Sequence, residues 1–246
     1  MTKPGLIVII ALSVAAALFV LFEVAYIKLN GRNVMAPTIP RQVQDFGTGP
    51  QLRYLVMGDS TSIGQGTDYQ HSYAYQTAQY LGQDHSVSFM NVGQSGARAA
   101  DVASQQLPKA LAFRPDVVLL AVGANDATHL TSGSSLQKSL QAIINGLRQG
   151  NPAVKIVVTG SPEMSAVPRF PWPINWLAGL RTRQVNKVYS RLISQNHLVL
   201  APIAQATGPA FKADPTLFAA DNFHPNARGY QLWIHVIETT FSQNHI

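Results

Sequence analysis

A chain of 246 residues, 46% apolar and only 12% charged, is long enough to bury one substantial core and too apolar to be disordered. It has no cysteine, which excludes a disulfide framework and a thiolate metal centre. The formal charge of +6 is modest and accompanies no recognisable nucleic-acid module, so nucleic acid is not an expected partner.

The first element in chain order is an uncharged run over 5–22, followed by Glu23 and a mixed segment reaching Leu29. A spanning helix needs about 20 apolar residues, whereas a signal-peptide core has about 7–15. Residues 1–29 therefore read as an uncleaved transmembrane anchor, with secretion after signal cleavage as the alternative. Ala15 and Ala17 lie inside the apolar run, and Val34-Met35-Ala36 is followed by Pro37, so neither makes a convincing processing site. Lys3 on one flank is outweighed by Lys28, Arg32 and Arg41 on the other, which taken literally points to a cytoplasmic domain. An N-terminal hydrophobic segment leading a soluble domain usually serves export, however, and an extracytoplasmic domain is the expectation. Residues 30–50, with Pro37, Pro40 and Pro50, read as a linker, and 51–246 as the folded domain.

Beyond the linker, apolar runs alternate with helical patterns. Strands are expected over 54–57, 87–92, 116–122, 155–159 and 198–200, and helices over 72–81, 99–112, 135–149, 179–195 and 227–241. This alternation implies βαβ units and a three-layer α/β/α sandwich with a mainly parallel sheet. Ligand chemistry in such sheets gathers at the carboxyl ends of the strands. Ser60, Gly93 and Asn125 each fall just past a predicted strand, so three distant positions converge on one edge.

Residues 164–180 form an unusual connection holding Pro168, Phe170, Pro171, Trp172, Pro173 and Trp176. Two readings stand: Phe170, Trp172 and Trp176 line an acyl or sugar subsite, or the loop caps the core. From 164 to 213 there is no acidic residue, but Arg169, Arg181, Arg183, Lys187, Arg191 and Lys212 are basic. Arg183, Lys187 and Arg191 recur every four residues and share one helix face, which is either simply solvated or turned to anionic headgroups or a charged polymer.

Four short islands carry the chemistry: Gly58-Asp59-Ser60, Asn91-Val92-Gly93, Gly123-Ala124-Asn125-Asp126 and Asp221-Asn222-Phe223-His224-Pro225. A serine hydroxyl is a weak nucleophile until an oriented imidazole takes its proton. Asp221 and His224, three apart, can bring carboxylate to Nδ1 and leave Nε2 for Ser60. The Ser60 and Gly93 N–H groups and the Asn125 carboxamide are candidate oxyanion donors. His71, His85, His129, His197, His235 and His245 show no comparable partner nearby in sequence, and no pair has metal-ligand spacing, so neither a metal nor a cofactor is expected.

These four blocks, in order over about 52–241, resemble those of the SGNH (GDSL) hydrolase family, with Thr61 where leucine is commoner. The resemblance implies a flavodoxin-like sandwich, Ser60 as nucleophile, Gly93 and Asn125 in the oxyanion hole, and an Asp221/His224 pair. It also implies a serine esterase whose substrates are O-acyl saccharides, lysophospholipids or small acyl esters and thioesters. An O-acyltransferase using the same residues and a catalytically silent, membrane-tethered glycan- or lipid-binding module are the alternatives.

Overall fold

A computed structural model describes residues 3–246, with side chains from residue 7 onward except at 16, 17, 28 and 30. Met1 and Thr2 of the expected anchor, and the Lys3 and Lys28 side chains weighed for orientation, lie outside the described residues. Among the described residues the six strands are β1 (Gln44–Phe46), β2 (Gln51–Gly58), β3 (Ser86–Asn91), β4 (Val117–Ala121), β5 (Lys155–Val158) and β6 (Val199–Leu200). Their spatial order is β1-β3-β2-β4-β5-β6, with β1 antiparallel to β3 and every other pairing parallel.

Central β2 and β4 are buried as continuous runs, Tyr54–Gly58 and Val117–Ala121, as strands covered on both faces must be. In one helical layer Tyr73–Leu81 packs on Ala227–Gln243, which packs on Ile203–Ala213; in the other, Gly133–Gly150 lies against both the helical run 99–113 and Ile174–Asn196. Tyr54 joins sheet to helix, with its ring 5.4 Å from Phe89 and 5.9 Å from Phe241 and its hydroxyl 2.8 Å from Thr77 Oγ1. The expected three-layer sandwich is what forms.

Three elements depart from expectation. Strand β1 lies inside the segment read as linker, because three residues, Gln-Asp-Phe, are too short to show a period-2 pattern. Helix Ile203–Ala213 was not expected, since Gly208 and Pro209 inside it read as breakers. Helix Ile174–Asn196 begins five residues before its expected start, within the aromatic connection. At the N-terminus a helix covers Lys3–Asn30, and its stretch Ile7–Ile27 is long and apolar enough to cross a membrane.

The end of β2 places Ser60. Gly58 has φ +155°, and a Cβ there would collide with the Ala121 carbonyl oxygen of β4, so only glycine lets the strands stay this close while the chain turns away. Gln106, fully buried, holds both polar groups of Gly58: Oε1 accepts from its N–H at 2.9 Å and Nε2 donates to its carbonyl at 2.8 Å. Gln106 ends a π-helical stretch, Val102–Gln106, whose wider turn shifts the helix register. Gln106→Leu leaves the Gly58 N–H without that acceptor and is expected to destabilise the fold by about 1–3 kcal/mol, read as a lower midpoint in thermal or urea unfolding.

Candidate active site

Past Gly58 the chain makes a tight turn. Asp59 N–H donates to Ala121 O at 3.2 Å, Ser62 N–H and Oγ–H both donate to Asp59 O, and Gln65 N–H donates to Ser60 O at 3.0 Å. Ser60 is thereby held at the carboxyl end of β2, 6% exposed.

The imidazole arrives from a loop 164 positions away. Residues 214–226 are cross-tied: Phe218 and Pro225 form an antiparallel bridge, Ala219 N–H donates to His224 O at 2.8 Å, and Asn226 Nδ2 donates to the Thr216 and Phe218 carbonyls. Asn226 also accepts from Gly229 N–H, capping helix Ala227–Gln243, so the loop is anchored on a rigid element. Within it His224 Nε2 lies 2.9 Å from Ser60 Oγ and Nδ1 lies 2.6 Å from Asp221 Oδ2. Asp221 Oδ1 accepts from the backbone N–H of Phe223 and of His224, both at 3.0 Å. The structure thus brings Ser60, His224 and Asp221 into one relay.

Asp221 and Asp59 sit at opposite ends of the electrostatic range. Burial alone would raise the Asp221 carboxyl, but the hydrogen bonds from the His224 ring and from two backbone N–H groups outweigh it and hold the carboxyl below its ordinary value. Burial pushes Asp59 up to about 6, against hydrogen bonds from Thr61 N–H and Oγ1–H and the attraction of His224.

Asn125 stands on the short helix Ala124–Thr128 and donates one Nδ2 hydrogen to Ala97 O at 3.0 Å, which orients the carboxamide and leaves its second N–H free to donate. Asn125 lines the same narrow, chiefly apolar pocket as Ser60 and His224. Gly93 does not take the place expected of it: its N–H donates to Asn91 Oδ1 at 2.9 Å, and a Cβ there would collide with Ser62 Oγ. Its lack of a side chain lets the loop after β3 close on the turn that holds Ser60 and Ser62. Three residues on, Gly96 has φ +78°, is exposed, and has nothing within 4 Å of where a Cβ would stand.

The aromatic connection divides. Phe170 packs edge-on against Phe223 at 5.8 Å, and Phe223 packs against the His224 ring at 4.9 Å. Trp172, two residues before helix Ile174–Asn196, and Trp176, in that helix's first turn, are exposed and do not line the pocket. The pocket walls come instead from Pro162, Met164, Val167, Phe211, Phe218 and Trp233. Apolar residues at core-like spacing carried no signal distinguishing pocket wall from core. Arg183 and Lys187 line a second, polar cleft with Asn186, Ser190 and Gln205, and Glu163 borders both spaces.

One expectation about histidines fails. Asp68 and His71 repeat the Asp-x-x-His spacing, with Nδ1 2.7 Å from the carboxylate, but both are exposed and Asp68 also caps the turn Tyr69–His71. The spacing alone is a capping geometry; the serine makes the difference.

An imidazole bonded to a carboxylate on one side and to a serine on the other, at the carboxyl edge of a mainly parallel sheet, belongs to a serine ester hydrolase on an α/β/α sandwich. The model of the GDSL-like Lipase/Acylhydrolase family matches residues 56–232, and the chain belongs to that family. No curated protein matches it. Among solved structures, TesA is similar at 21% identity, covering 78% of this chain and 98% of its own, with a TM-score of 0.64. The psychrotrophic esterase EstA from Pseudoalteromonas sp. matches at 15% identity over 78% of this chain and 98% of its own, TM-score 0.61. The acetylxylan esterase Axe2 from Geobacillus stearothermophilus matches at 16% over 80% and 96%, TM-score 0.60. At such identities the likeness is one of fold.

The raised Asp59 carboxyl carries a stability consequence with a definite sign. A carboxyl whose value in the fold lies above its unfolded value of about 4 contributes to stability when protonated, and that contribution is lost as pH rises through about 6. Asp59→Asn keeps an oxygen for both Thr61 donors and removes the buried charge. Its thermal midpoint is expected to exceed that of the parent at pH 8 and to lose this advantage as pH falls to 4.

Proposed function

We propose that Ser60 attacks the carbonyl carbon of an acyl ester while His224 Nε2 takes the hydroxyl proton. The tetrahedral intermediate collapses as His224 returns that proton to the leaving alcohol oxygen, giving acyl-Ser60. Water, deprotonated by the same nitrogen, then releases the acid and restores Ser60. Asp221 fixes the tautomer and stabilises the imidazolium, a role suited to a carboxyl held below its usual range. The observation that carries this reading is His224 spanning Asp221 Oδ2 at 2.6 Å and Ser60 Oγ at 2.9 Å.

For the oxyanion we assign the Ser60 N–H and the second Asn125 N–H. Gly96, rather than Gly93, is the proposed source of a further backbone donor. Its neighbour Ala97 already meets the Asn125 carboxamide, and no side chain stands in the way. The apolar pocket suits the acyl group, and the Arg183/Lys187 cleft suits a polar or anionic alcohol portion. O-acyl saccharides, lysophospholipids and small acyl esters or thioesters share that division. The N-terminal helix is proposed as an uncleaved anchor with the enzyme on the extracytoplasmic face.

Tested as the full-length protein against an ester series from acetyl to long-chain acyl, Ser60→Ala is expected to lose about 10⁶-fold in kcat, the scale of a relay acting as a unit. Asn125→Ala is expected to lower kcat by about 10²–10³ with little change in KM, since its N–H acts on the transition state. Full activity in Ser60→Ala would remove the covalent mechanism. A C-terminal reporter active only outside the cytoplasm is expected to be active in intact cells; a reporter active only inside would reverse the orientation.

A further inference from the structure

Trp172, Trp176 and Leu177 are large apolar side chains that the active site leaves unused, and they are 73%, 57% and 38% exposed. Single exposed apolar residues are ordinary, but two indoles and a leucine within six positions of one segment form a patch that asks for a partner.

Their position identifies that partner. Arg169, three residues before Trp172, donates Nη2 to the Arg32 carbonyl and, at 3.4 Å, to Asn33 Oδ1. A Cβ on Gly31 would collide with the same guanidinium, so this clamp closes on the chain immediately after the apolar helix. A cleft with Tyr26, Ile27 and Arg32 on one side and Pro168, Arg169 and Pro171 on the other continues the seam to the residue before Trp172. The apolar stretch ends at Ile27, and at about 1.5 Å per helical residue the clamp lies within roughly 8 Å of that end. The tryptophan segment is therefore at the level where a helix spanning Ile7–Ile27 leaves the hydrocarbon. Phe22 and Tyr26, ring centroids 6.3 Å apart, stand on the helix at the same end. Indoles gain most in that layer, where the ring meets acyl chains and the N–H meets water.

Resting on the anchor reading above, we propose that Trp172, Trp176 and Leu177 form a second membrane contact, seated in the interfacial layer of the bilayer beside the helix. The domain is then held at two points instead of swinging on a tether. Phe170, at the other end of the segment, packs on Phe223 beside His224, so the second contact also sets the catalytic loop near the headgroups.

The test uses the full chain reconstituted into vesicles of phosphatidylcholine and phosphatidylglycerol, and into matched vesicles whose phosphatidylcholine carries bromine near the glycerol end of its chains. Bromine quenches indoles it touches. Of the three tryptophans, Trp233 is buried in the domain and serves as the internal reference. Brominated lipid is expected to remove most of the emission of Trp172 and Trp176, and to leave the double variant Trp172→Phe/Trp176→Phe, which emits from Trp233 alone, nearly unchanged. Protein that floats with the vesicles while its emission ignores bromine and answers to aqueous iodide overturns the second contact and leaves the anchor standing. Protein that does not float overturns both.

Discussion

The structure turns on one buried chain of hydrogen bonds in which Asp221 accepts from the backbone N–H groups of Phe223 and His224 and from the His224 ring, whose other nitrogen meets Ser60. A carboxylate and an imidazole removed from water are costly unless nearly every lone pair and proton is met. Here both Asp221 oxygens have partners, and the second imidazole nitrogen is met only by a residue on a different strand end. The relay is therefore complete only when β2, β4 and the 214–226 loop are all in place. This also explains the density of small ties around it: the Phe218–Pro225 bridge, the Asn226 cap and the Gln106 clasp on Gly58 each fix backbone that the relay needs within tenths of an ångström.

The two buried carboxylates nearest the serine differ because of what donates to them. Asp221 receives an imidazole N–H and two backbone N–H groups, enough to hold it ionised. Asp59 receives two donors on one oxygen, both from Thr61, and burial wins, raising it to about 6. Asp59 Oδ1 orders the Thr61 end of the nucleophile turn, so a carboxyl that weakens the fold at neutral pH also shapes the residue after the nucleophile. Such local cost at a site is the usual trade between stability and function.

Much of this was legible in the sequence, and the failures have identifiable causes. The alternation of apolar runs and helical patterns yields the sandwich because strands buried on both faces read as continuous hydrophobic stretches. Ser60, Asn125, Asp221 and His224 are legible because each pairs a special residue type with a strand or loop end. Gly93 differs from expectation for a physical reason: a glycine after a strand is equally a donor with open access or a place where another side chain presses in, and only the position of Ser62 distinguishes them. Asp68-x-x-His71 shows the same ambiguity in a pair, since a carboxylate three residues before a histidine also caps a turn. Trp172 and Trp176 read either as subsite residues or as a cap on the core, and they are neither, since aromatic composition alone does not show which side chains stay in solvent. Strand β1 and helix Ile203–Ala213 were hidden by brevity and by an internal Gly-Pro that tertiary packing overrides.

The origin of the site's parts explains why family membership leaves the substrate open. Ser60, Gly96 and Asn125, to which the proposed mechanism gives the nucleophile and the oxyanion donors, follow the ends of β2, β3 and β4, all in the first 125 residues, and these ends are bound to one another by the sheet's hydrogen-bond register. Most of the pocket walls come from the other half: Pro162 to Val167 after β5, Phe211 on the Gly-Pro helix, Phe218 and Phe223 in the catalytic loop, and Trp233 on the last helix. Those side chains answer to packing, not to the sheet ladder, and packing tolerates exchange among apolar residues of similar volume. The relay and the apolar pocket meet at Ser60 and at His224 with its neighbours Phe223 and Pro225. A chain can therefore keep the chemistry while changing the wall, and the segment that adjoins this meeting point through Phe170 is the same one that carries the exposed Trp172 and Trp176. On the proposed membrane contact, pocket wall and attachment share this one segment, whereas Ser60 and Asn125 are held by the ends of the sheet.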